Sequence, residues 1–425
     1  MNHKFSIITP EHDPANAEFL MELYESIVAQ TYDNWEWILF LNGNCELSHI
    51  SDIIKNNSKV RVIKSDIVMD ENNVGNIGMI KNCAFSMGSG DVLVEVDHDD
   101  MITENCLYEL NRAFQDTDIG FVYSDNAVLK MNGEFFPYDA NNGWEHYPYN
   151  WKGTELIAMK SFPPTSHSLS YIWYSPDHIR AWRTTIYNEL GGHNKTMTVC
   201  DDHELCIRTY LHTKMLLISE VLYIYRITGK NTSIDHRNAE IQIKTVELHN
   251  QYSVALAERD ADIAGLLKVD IGGGINGRPG YLTIDQEGAH MNYDLNKGIP
   301  LPDNSVSVIN ASHVLEHLKD PVKSMSEIHR VLVHGGWAFI EVPSTDGRGA
   351  FQDPTHISFW NENSFLYYTD AYLANFIRNK TIRFQNFRCE TYFPNEWMQS
   401  IHVSVVSAWL VCVKDGPRLP HTLKI

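Results

Sequence analysis

Three carboxylates are crowded into one short stretch of the chain, LVEVDHDDMI at residues 93–102. Asp97, Asp99 and Asp100 come directly after an alternating apolar run that predicts a buried strand. Because like charges this close repel each other, a cation among them would stabilise the group. Hard divalent ions bind one or two carboxylates and complete their coordination with phosphate oxygens. The stretch therefore suggests a metal-diphosphate site, the alternative being turn and capping residues before a helix at 104–114.

A second acidic pair, Asp201 and Asp202, stands in CDDHELCIR at residues 200–208. Taken alone, the pair predicts the start of a helix, where acids interact favourably with the helix dipole. Cys200 and His203 add metal-ligating types, but adjacent residues on a helix point in different directions, so shared chelation is not expected.

An aromatic segment, residues 141–182, lies between the two acidic stretches. Flat aromatic faces suit sugar rings and can also stack on exposed nucleobases. Its tryptophans Trp144, Trp151 and Trp173 are explained equally well, one by one, as core side chains.

The elements around these residues alternate between strand and helix. Apolar runs predict strands at 4–9, 35–42, 60–65 and 91–97, and helical patterns occur at 17–30 and 79–88. This alternation predicts an α/β domain with a parallel sheet, covered by helices on both faces, that binds ligands at the carboxyl ends of its strands. The first acidic stretch follows such a strand.

The alternation stops and then restarts further along the chain. A helical stretch at 237–267 predicts a connector, and new strands are predicted at 268–274, 280–286, 305–314 and 337–343. We therefore expect one domain at 1–236, a helical connector at 237–267 and a second α/β domain at 268–425.

Composition limits the choice of partners and compartment. The net charge of −20 over 425 residues disfavours a broad electrostatic contact with nucleic acid or an anionic membrane. We find no signal-peptide pattern, and the apolar run at 405–413 is too short to span a bilayer, so a cytoplasmic protein without a membrane span is expected. Seven scattered cysteines without a CxxC pair suggest neither disulfides nor a structural zinc site.

Five segments of the N-terminal half resemble family 2 glycosyltransferases of the GT-A fold in order, spacing and residue types. They are residues 6–13, 26–44, 73–100, 191–208 and 221–233. The resemblance implies a DxD motif at Asp97 and Asp99 that contacts a nucleotide-sugar donor together with Mn²⁺ or Mg²⁺, with Asp100 as an additional metal ligand. The implied donor-binding residues are Thr9, Pro10, Glu11, Asn42, Lys81, Asp97 and Asp99.

The resemblance also implies a catalytic base. Asp202 matches the family's base, with Asp201 as its neighbour, and an inverting transfer needs such a carboxylate to take the proton of the acceptor hydroxyl. Two departures stand out. Asn42 replaces the Asp that often faces uracil, which leaves the base of the donor open, and Thr228 replaces a metal-binding His, for which His203 or His236 could substitute.

The second domain resembles class I S-adenosylmethionine-dependent methyltransferases. Residues 268–285, KVDIGGGINGRPGYLTID, are similar to their first motif, and residues 300–318 and 327–343 to later ones. The resemblance implies that Gly272, Gly274 and Asp285 bind the cofactor and that Asp294 lies near the adenine.

The first methyltransferase motif is followed by the next strand after very few residues. The usual first helix is therefore not expected, and binding of S-adenosylmethionine stays open. His356, within residues 351–368, belongs either to an acceptor lid or to a packed structural flap.

The sequence thus predicts a metal-dependent, inverting glycosyltransferase that moves a sugar from a UDP-sugar to a glycan or lipid-linked acceptor. The activity of the methyltransferase-like domain is left open. One alternative is sugar transfer onto hydroxymethylated DNA bases, which the acidic charge disfavours. The other is a methyltransferase whose N-terminal half only binds glycan.

Overall fold

The computed structural model describes residues 1–65, 67, 76–131, 135–137, 143–229 and 237–414. The chain forms two compact units, Met1–Ser253 and Val254–Ile425, each built on its own β-sheet. The division falls inside the long helix that occupies most of the connector predicted at 237–267.

The described residues of the first unit form ten strands and the helices between them. The strands are β1 (Phe5–Glu11), β2 (Trp35–Leu41), β3 (Val60–Lys64), β4 (Val92–Glu95), β5 (Met101–Ile102), β6 (Ile119–Lys130), β7 (His146–Trp151), β8 (Thr154–Met159), β9 (Arg180–Arg183) and β10 (Lys214–Ile227). The helices are α1 (Ala17–Val28), α2 (Asp52–Lys55), α3 (Ile77–Phe85), α4 (Cys106–Ala113), α5 (Ser166–Tyr171), α6 (Thr184–Glu189), α7 (Asp201–His212) and α8 (Asn238–Ala264).

The sheet of the first unit has the order β3-β2-β1-β4-β9-β6-β10-β5, and the β7–β8 pair joins β6. The strands from β3 to β4 are parallel, as predicted. Beyond them the sheet is mixed, because β9 runs antiparallel to both β4 and β6. Its sequence, RAWR, lacks the apolar run by which the other strands were recognised. β2 is buried along its whole length, as expected for a strand covered on both faces.

The second unit has seven strands and four further helices. The strands are β11 (Leu267–Ile271), β12 (Leu282–Asp285), β13 (Met291–Asn292), β14 (Val306–Ser312), β15 (Leu332–Pro343), β16 (Phe384–Tyr392) and β17 (Val405–Cys412). The helices are α9 (Pro321–Val331), α10 (Gly349–Gln352), α11 (Glu362–Thr369) and α12 (Glu396–Ser400).

The second sheet has the order β13-β12-β11-β14-β15-β17-β16. β17 runs in the direction opposite to the other strands and is antiparallel to both β15 and β16. The chain leaves β11 toward β12 and β13 and returns to β14 on the other side of β11. Ligands of such sheets bind where the strand order reverses, at the carboxyl ends of the strands. Only a single 3-10 turn, Gly274–Asn276, lies between β11 and β12, so the expected lack of the first helix is confirmed.

Two other expectations are met. The apolar run at 405–413 is β17 rather than a helix, and no helix in the described part of the chain is long and apolar enough to cross a membrane. All seven cysteines lie in described segments and are unpaired.

Candidate active site

The acidic loop, which we define as residues 97–100, follows β4 and is fastened to β10 by Asp100. Asp100 is 1% exposed, and its two oxygens accept hydrogen bonds from the Tyr223 hydroxyl at 2.7 Å and the Arg226 backbone N–H at 2.6 Å. Burial, together with the charges of Asp99 and Asp97, raises the pKa of Asp100 well above its usual value. These contacts favour an anchoring role for Asp100 over the predicted role as a metal ligand.

Two more contacts from β10 hold the backbone of the acidic loop. The Tyr223 hydroxyl accepts a hydrogen bond from the Asp97 N–H at 3.1 Å, and Arg226 Nε donates to the Asp99 carbonyl at 2.6 Å. Arg226 is itself buried and forms an ion pair with Glu22. The half-buried carboxylates of Asp97 and Asp99 accept no hydrogen bond from any described residue, so the fold fixes their backbone and leaves their oxygens for a ligand.

The predicted donor residues of the first two strands lie together at the carboxyl ends of β1 and β2. Thr9 is fully buried and accepts a hydrogen bond from Trp37 Nε1 at 3.0 Å, whereas Pro10 is half-buried. Glu11 Oε1 accepts from the next two backbone N–H groups at 2.6 and 2.8 Å, while its Oε2 is buried without a hydrogen-bond partner among the described residues. Asn42 is 1% exposed and its N–H donates to the Glu11 carbonyl at 2.8 Å.

A buried charge network lies beneath the acidic loop. Glu95, which is fully buried at the end of β4, accepts a hydrogen bond from Lys81 Nζ at 2.5 Å, and its other oxygen lies 3.8 Å from Arg180 Nη1. Arg180, on β9, forms an ion pair with Asp202 on α7. The charges of Glu95, Asp97 and Asp202 all raise the pKa of Lys81 against the effect of its burial. The network therefore joins the DxD motif to the predicted catalytic base.

The two acids at the start of α7 have opposite protonation behaviour. Burial raises the pKa of Asp201 to about 7, and its Oδ2 lies 3.8 Å from His193 Nε2 without a hydrogen bond to a described residue. Burial also acts to raise the pKa of Asp202, but the Arg180 guanidinium outweighs it and holds this pKa well below its usual value. The Asp202 side chain is 20% exposed and that of Asp201 4%, so Asp202 is the ionised and accessible member of the pair.

Of the two histidines considered as substitute metal ligands for Thr228, only His203 lies in the described residues. His203 is fully buried, and burial lowers its pKa to about 4. His236 lies outside the described residues. Thr228 itself follows β10 directly.

The aromatic segment contributes more to the core than to an open surface. Trp144 is 8% exposed, donates from Nε1 to the Tyr174 hydroxyl at 2.6 Å, and belongs to a buried cluster. Trp151 ends β7 and is partly buried, and Trp173 makes an edge contact with Tyr174 at 5.2 Å between ring centroids.

Sequence reasoning missed the groups that hold this site together: Glu95, Arg180, His193, Tyr223 and Arg226. Glu95 had a usable signal, because it lies two residues before Asp97 in a buried strand and shares its face. Arg180 had none, since its burial depends on a short strand that the sequence pattern does not mark.

In the second unit, two of the residues predicted to bind S-adenosylmethionine, Gly274 and Asp285, lie side by side. Gly272 has φ +78° and a Cβ there would lie 2.5 Å from Val314. A Cβ on Gly274, at φ +48°, would lie 3.2 Å from Asp285 Oδ2, so the glycine turn and the acid are neighbours. This cradle fits the glycine-and-acid part of a cofactor site. Asp294 instead caps a 3-10 turn through Asn296 N at 3.0 Å.

Comparison with known families agrees with these two architectures. Residues 6–170 match the family model described as glycosyl transferase family 2, and residues 283–340 match one described as a methyltransferase domain. The first unit is therefore a GT-A-type glycosyltransferase domain, the protein is a glycosyltransferase by class, and the second unit carries a Rossmann-like methyltransferase region.

Curated relatives match about half of the chain. The chain is 24% identical over 237 residues to glycosyltransferase GlyG of Streptococcus pneumoniae, which covers 53% of this chain and 71% of GlyG. It is 24% identical over 226 residues to the poly(ribitol-phosphate) β-N-acetylglucosaminyltransferase TarS of Staphylococcus aureus, which covers 52% of this chain but only 35% of TarS.

Similar solved structures include TarS residues 1–349 in complex with UDP, with TM-score 0.42, 15% identity, and coverage of 61% of this chain and 70% of the other. The mannosyltransferase PcManGT of Pyrobaculum calidifontis with GDP-mannose and Mn²⁺ has TM-score 0.40, 13% identity, and coverage of 63% and 77%.

Proposed function

We propose that the first unit transfers a sugar from a UDP-sugar to a hydroxyl group with inversion, in a reaction that depends on Mn²⁺ or Mg²⁺. The observation that carries the proposal is the acidic loop, whose backbone is fixed by Tyr223 and Arg226 while the carboxylates of Asp97 and Asp99 accept no hydrogen bond from the part of the chain that the structure describes. Rigid backbone with free oxygens is the arrangement expected of a preorganised ligand site.

The carboxylate oxygens of the acidic loop suit a hard divalent ion. Asp99 would bind the ion, and Asp97 would contact the ribose and diphosphate of the donor, with Thr9, Pro10, Glu11 and Asn42 lining the nucleotide pocket. A divalent ion bound there would offset the charge that develops on the leaving nucleoside diphosphate. Lys81 is buried and its ammonium group forms an ion pair with Glu95, so it contributes positive charge from below the loop rather than direct contact with the donor.

Asp202 is proposed as the general base. It is ionised because Arg180 lowers its pKa, and its 20% exposure lets it meet an acceptor hydroxyl. It would take the hydroxyl proton as the oxygen attacks the anomeric carbon, a contribution of about 10²–10⁴-fold in rate. The bond to Arg180 makes Asp202 a weaker base but holds it in one orientation, while Asp201 stays buried behind it.

A glycan or lipid-linked acceptor is proposed. The relative TarS is named as a poly(ribitol-phosphate) β-N-acetylglucosaminyltransferase, so at least one relative acts on a phosphate-containing polymer that is not a nucleic acid. A hydroxymethylated DNA base is the less favoured acceptor, because the net charge of −20 opposes phosphate contacts.

We further propose that the second unit binds S-adenosylmethionine. The support is the contact between the Gly272–Gly274 turn and Asp285 at the carboxyl ends of β11 and β12. Asp285 would accept hydrogen bonds from the ribose hydroxyls, and Gly272 would let the backbone approach the cofactor.

The test is a thermal-unfolding screen of the full chain with UDP-, GDP- and dTDP-sugars, each with and without Mn²⁺, and with S-adenosylmethionine in parallel. A ligand at about 100 times its Kd adds about 2.7 kcal/mol and gives a visible shift. We expect a Mn²⁺-dependent shift with UDP-sugars, lost in Asp99→Asn. The exposed acid Asp118 provides the control, and Asp118→Asn should keep the shift.

The base is tested separately by sugar transfer to a panel of glycan, lipid-linked and modified-DNA acceptors. Asp202→Asn should keep the donor-induced shift and lose transfer by about 10²-fold or more. A variant that still transfers sugar at the wild-type rate would remove Asp202 from the mechanism. A shift with S-adenosylmethionine but with no nucleotide sugar would make methyl transfer the main activity.

A further inference from the structure

A cluster of metal-ligating side chains lies in the second unit, apart from the residues that would bind S-adenosylmethionine. Glu316, His317 and His356 each present one potential ligand atom, and these atoms lie within 4.8 Å of one another. Among the described residues, this is the one group of three or more His, Cys, Asp or Glu side chains with that spacing. Glu316 and His317 follow β14, at the carboxyl end where ligands of such sheets bind.

Glu316 is a buried carboxylate that lacks a full set of partners. Its side chain is 3% exposed, and Oε1 lies 3.4 Å from His313 Nδ1. Its Oε2 is buried and makes no hydrogen bond to a described residue. Because a buried oxygen without a hydrogen-bond partner is unfavourable, Oε2 is available to a ligand that the described residues do not supply.

The two histidines are oriented as metal ligands are. His317 Nδ1 lies 3.2 Å from the Thr355 carbonyl and 3.1 Å from the Thr355 hydroxyl, whose own proton goes to Asp353 Oδ1 at 2.7 Å. His356 Nδ1 lies 3.0 Å from the Ala350 carbonyl. Since a carbonyl oxygen only accepts, each Nδ1 carries the proton and each Nε2 keeps its lone pair. Histidines that bind metals are typically fixed through the other ring nitrogen in this way.

The backbone joins the two halves of the cluster. The N–H groups of Ile357 and Ser358 both donate to the Glu316 carbonyl, at 2.9 and 3.0 Å, and Ser358 Oγ donates to the Leu315 carbonyl at 2.7 Å. The segment that carries His356 is therefore held against the turn that carries Glu316 and His317. The cluster is built by the fold and does not depend on the chance positions of long side chains.

We propose that the second unit binds one divalent transition-metal ion of the Zn²⁺ type through Glu316, His317 and His356. Imidazole and carboxylate ligands together favour such ions over Mg²⁺ or Ca²⁺. Three protein ligands leave a fourth position for water or for an oxygen or sulfur atom of a substrate, as in catalytic zinc sites. Asp353, whose Oδ2 lies 3.9 Å from His356 Nε2, adds negative charge beside the ion.

The proposal is tested by titrating the full-length, tag-free, EDTA-treated protein with Zn²⁺ by calorimetry and with Co²⁺ by visible absorption. The Asp99→Asn background removes the site proposed in the first unit. We expect one Zn²⁺ per chain and a Co²⁺ spectrum of low coordination number. His317→Ala and His356→Ala should each weaken binding by roughly 100-fold or more, beyond the effect of losing a supporting residue.

Two controls separate the cluster from adventitious binding and from misfolding. His146 is an exposed histidine of β7, so His146→Ala should bind Zn²⁺ like the background protein. Glu316→Gln keeps the size of the side chain but removes the carboxylate ligand, so it should leave the metal-free melting temperature close to that of the background protein while abolishing the rise caused by Zn²⁺. No stoichiometric binding, or equal affinity in the His317, His356 and His146 variants, would overturn the proposal.

Discussion

Glu95 provides the most direct test of the charge network beneath the acidic loop. It is fully buried, its Oε1 accepts from Lys81 at 2.5 Å, and its Oε2 lies 3.8 Å from Arg180. Glu95→Gln leaves the buried Lys81 ammonium without its counter-charge. Breaking a buried ion pair in this way costs about 3–5 kcal/mol, so we expect the free energy of unfolding of the first unit to fall by about that amount.

A double variant separates the loss of the Lys81–Glu95 ion pair from a loss of packing. Adding Lys81→Met to Glu95→Gln removes the stranded charge, so the double variant should recover part of the loss, with a coupling energy of about 2–3 kcal/mol. Glu18 is exposed on α1, and Glu18→Gln should change stability by less than about 0.5 kcal/mol.

The measurement is hydrogen exchange of peptides from β1 to β4 in the full chain under increasing urea, because a two-unit protein does not give a single two-state transition. Burial acts to raise the pKa of Glu95, but Lys81 and Arg180 outweigh it and lower it to about 2. Its stabilisation is therefore present above the ordinary value of 4.5 and is lost as pH falls toward 2. A loss under about 1 kcal/mol at neutral pH, or additive single variants, would refute the network as described.

Three further predictions concern residues of both units. Burial raises the pKa of Asp201 to about 7, so the folded state binds the proton more tightly and stability falls as pH rises from about 4 to 7. In urea unfolding, Asp201→Asn should lack this pH dependence and should be more stable than wild type at pH 8. Tyr223→Phe removes both hydroxyl contacts with the acidic loop, at about 1–3 kcal/mol, and should raise KM for the donor more than it lowers kcat. Gly272→Ala places a Cβ 2.5 Å from Val314 at φ +78°. Its control, Gly280→Ala, has a similar φ of +80° but nothing within 4 Å of the added Cβ, so it costs only the backbone strain of about 1–3 kcal/mol. Hydrogen exchange of β11 peptides should show the larger loss of stability for Gly272→Ala.

Much of the framework could be predicted from local sequence. The mostly apolar runs that become β1, β2, β3 and β4 are short and separated by helical patterns or turns, so both their existence and their parallel order followed from the strand-helix alternation. The resemblance to family 2 glycosyltransferases was equally local, because it rested on segments that are contiguous in the chain. The short connection after β11 likewise predicted that no helix would lie between β11 and β12.

The sequence did not reveal which acid at each site is accessible to a ligand and which is buried. Asp97, Asp99 and Asp100 are alike in type and adjacent in the chain, yet only Asp100 is buried against Tyr223 on β10. Asp201 and Asp202 likewise differ through burial and through Arg180, which reaches Asp202 on α7 from β9. These differences come from neighbours more than twenty residues away along the chain, which periodicity cannot detect.

By itself, then, the sequence determined the two α/β units, the position of the acidic loop after β4 and the glycine turn after β11, because each is specified by residues next to one another. The tertiary structure alone decided the pairing of Glu95 with Lys81, the ionisation of Asp202 and the meeting of His356 with Glu316 and His317. Protonation state and ligand geometry depend on burial and on charges brought together by the fold. Those quantities exist only once strands from distant parts of the chain have packed side by side.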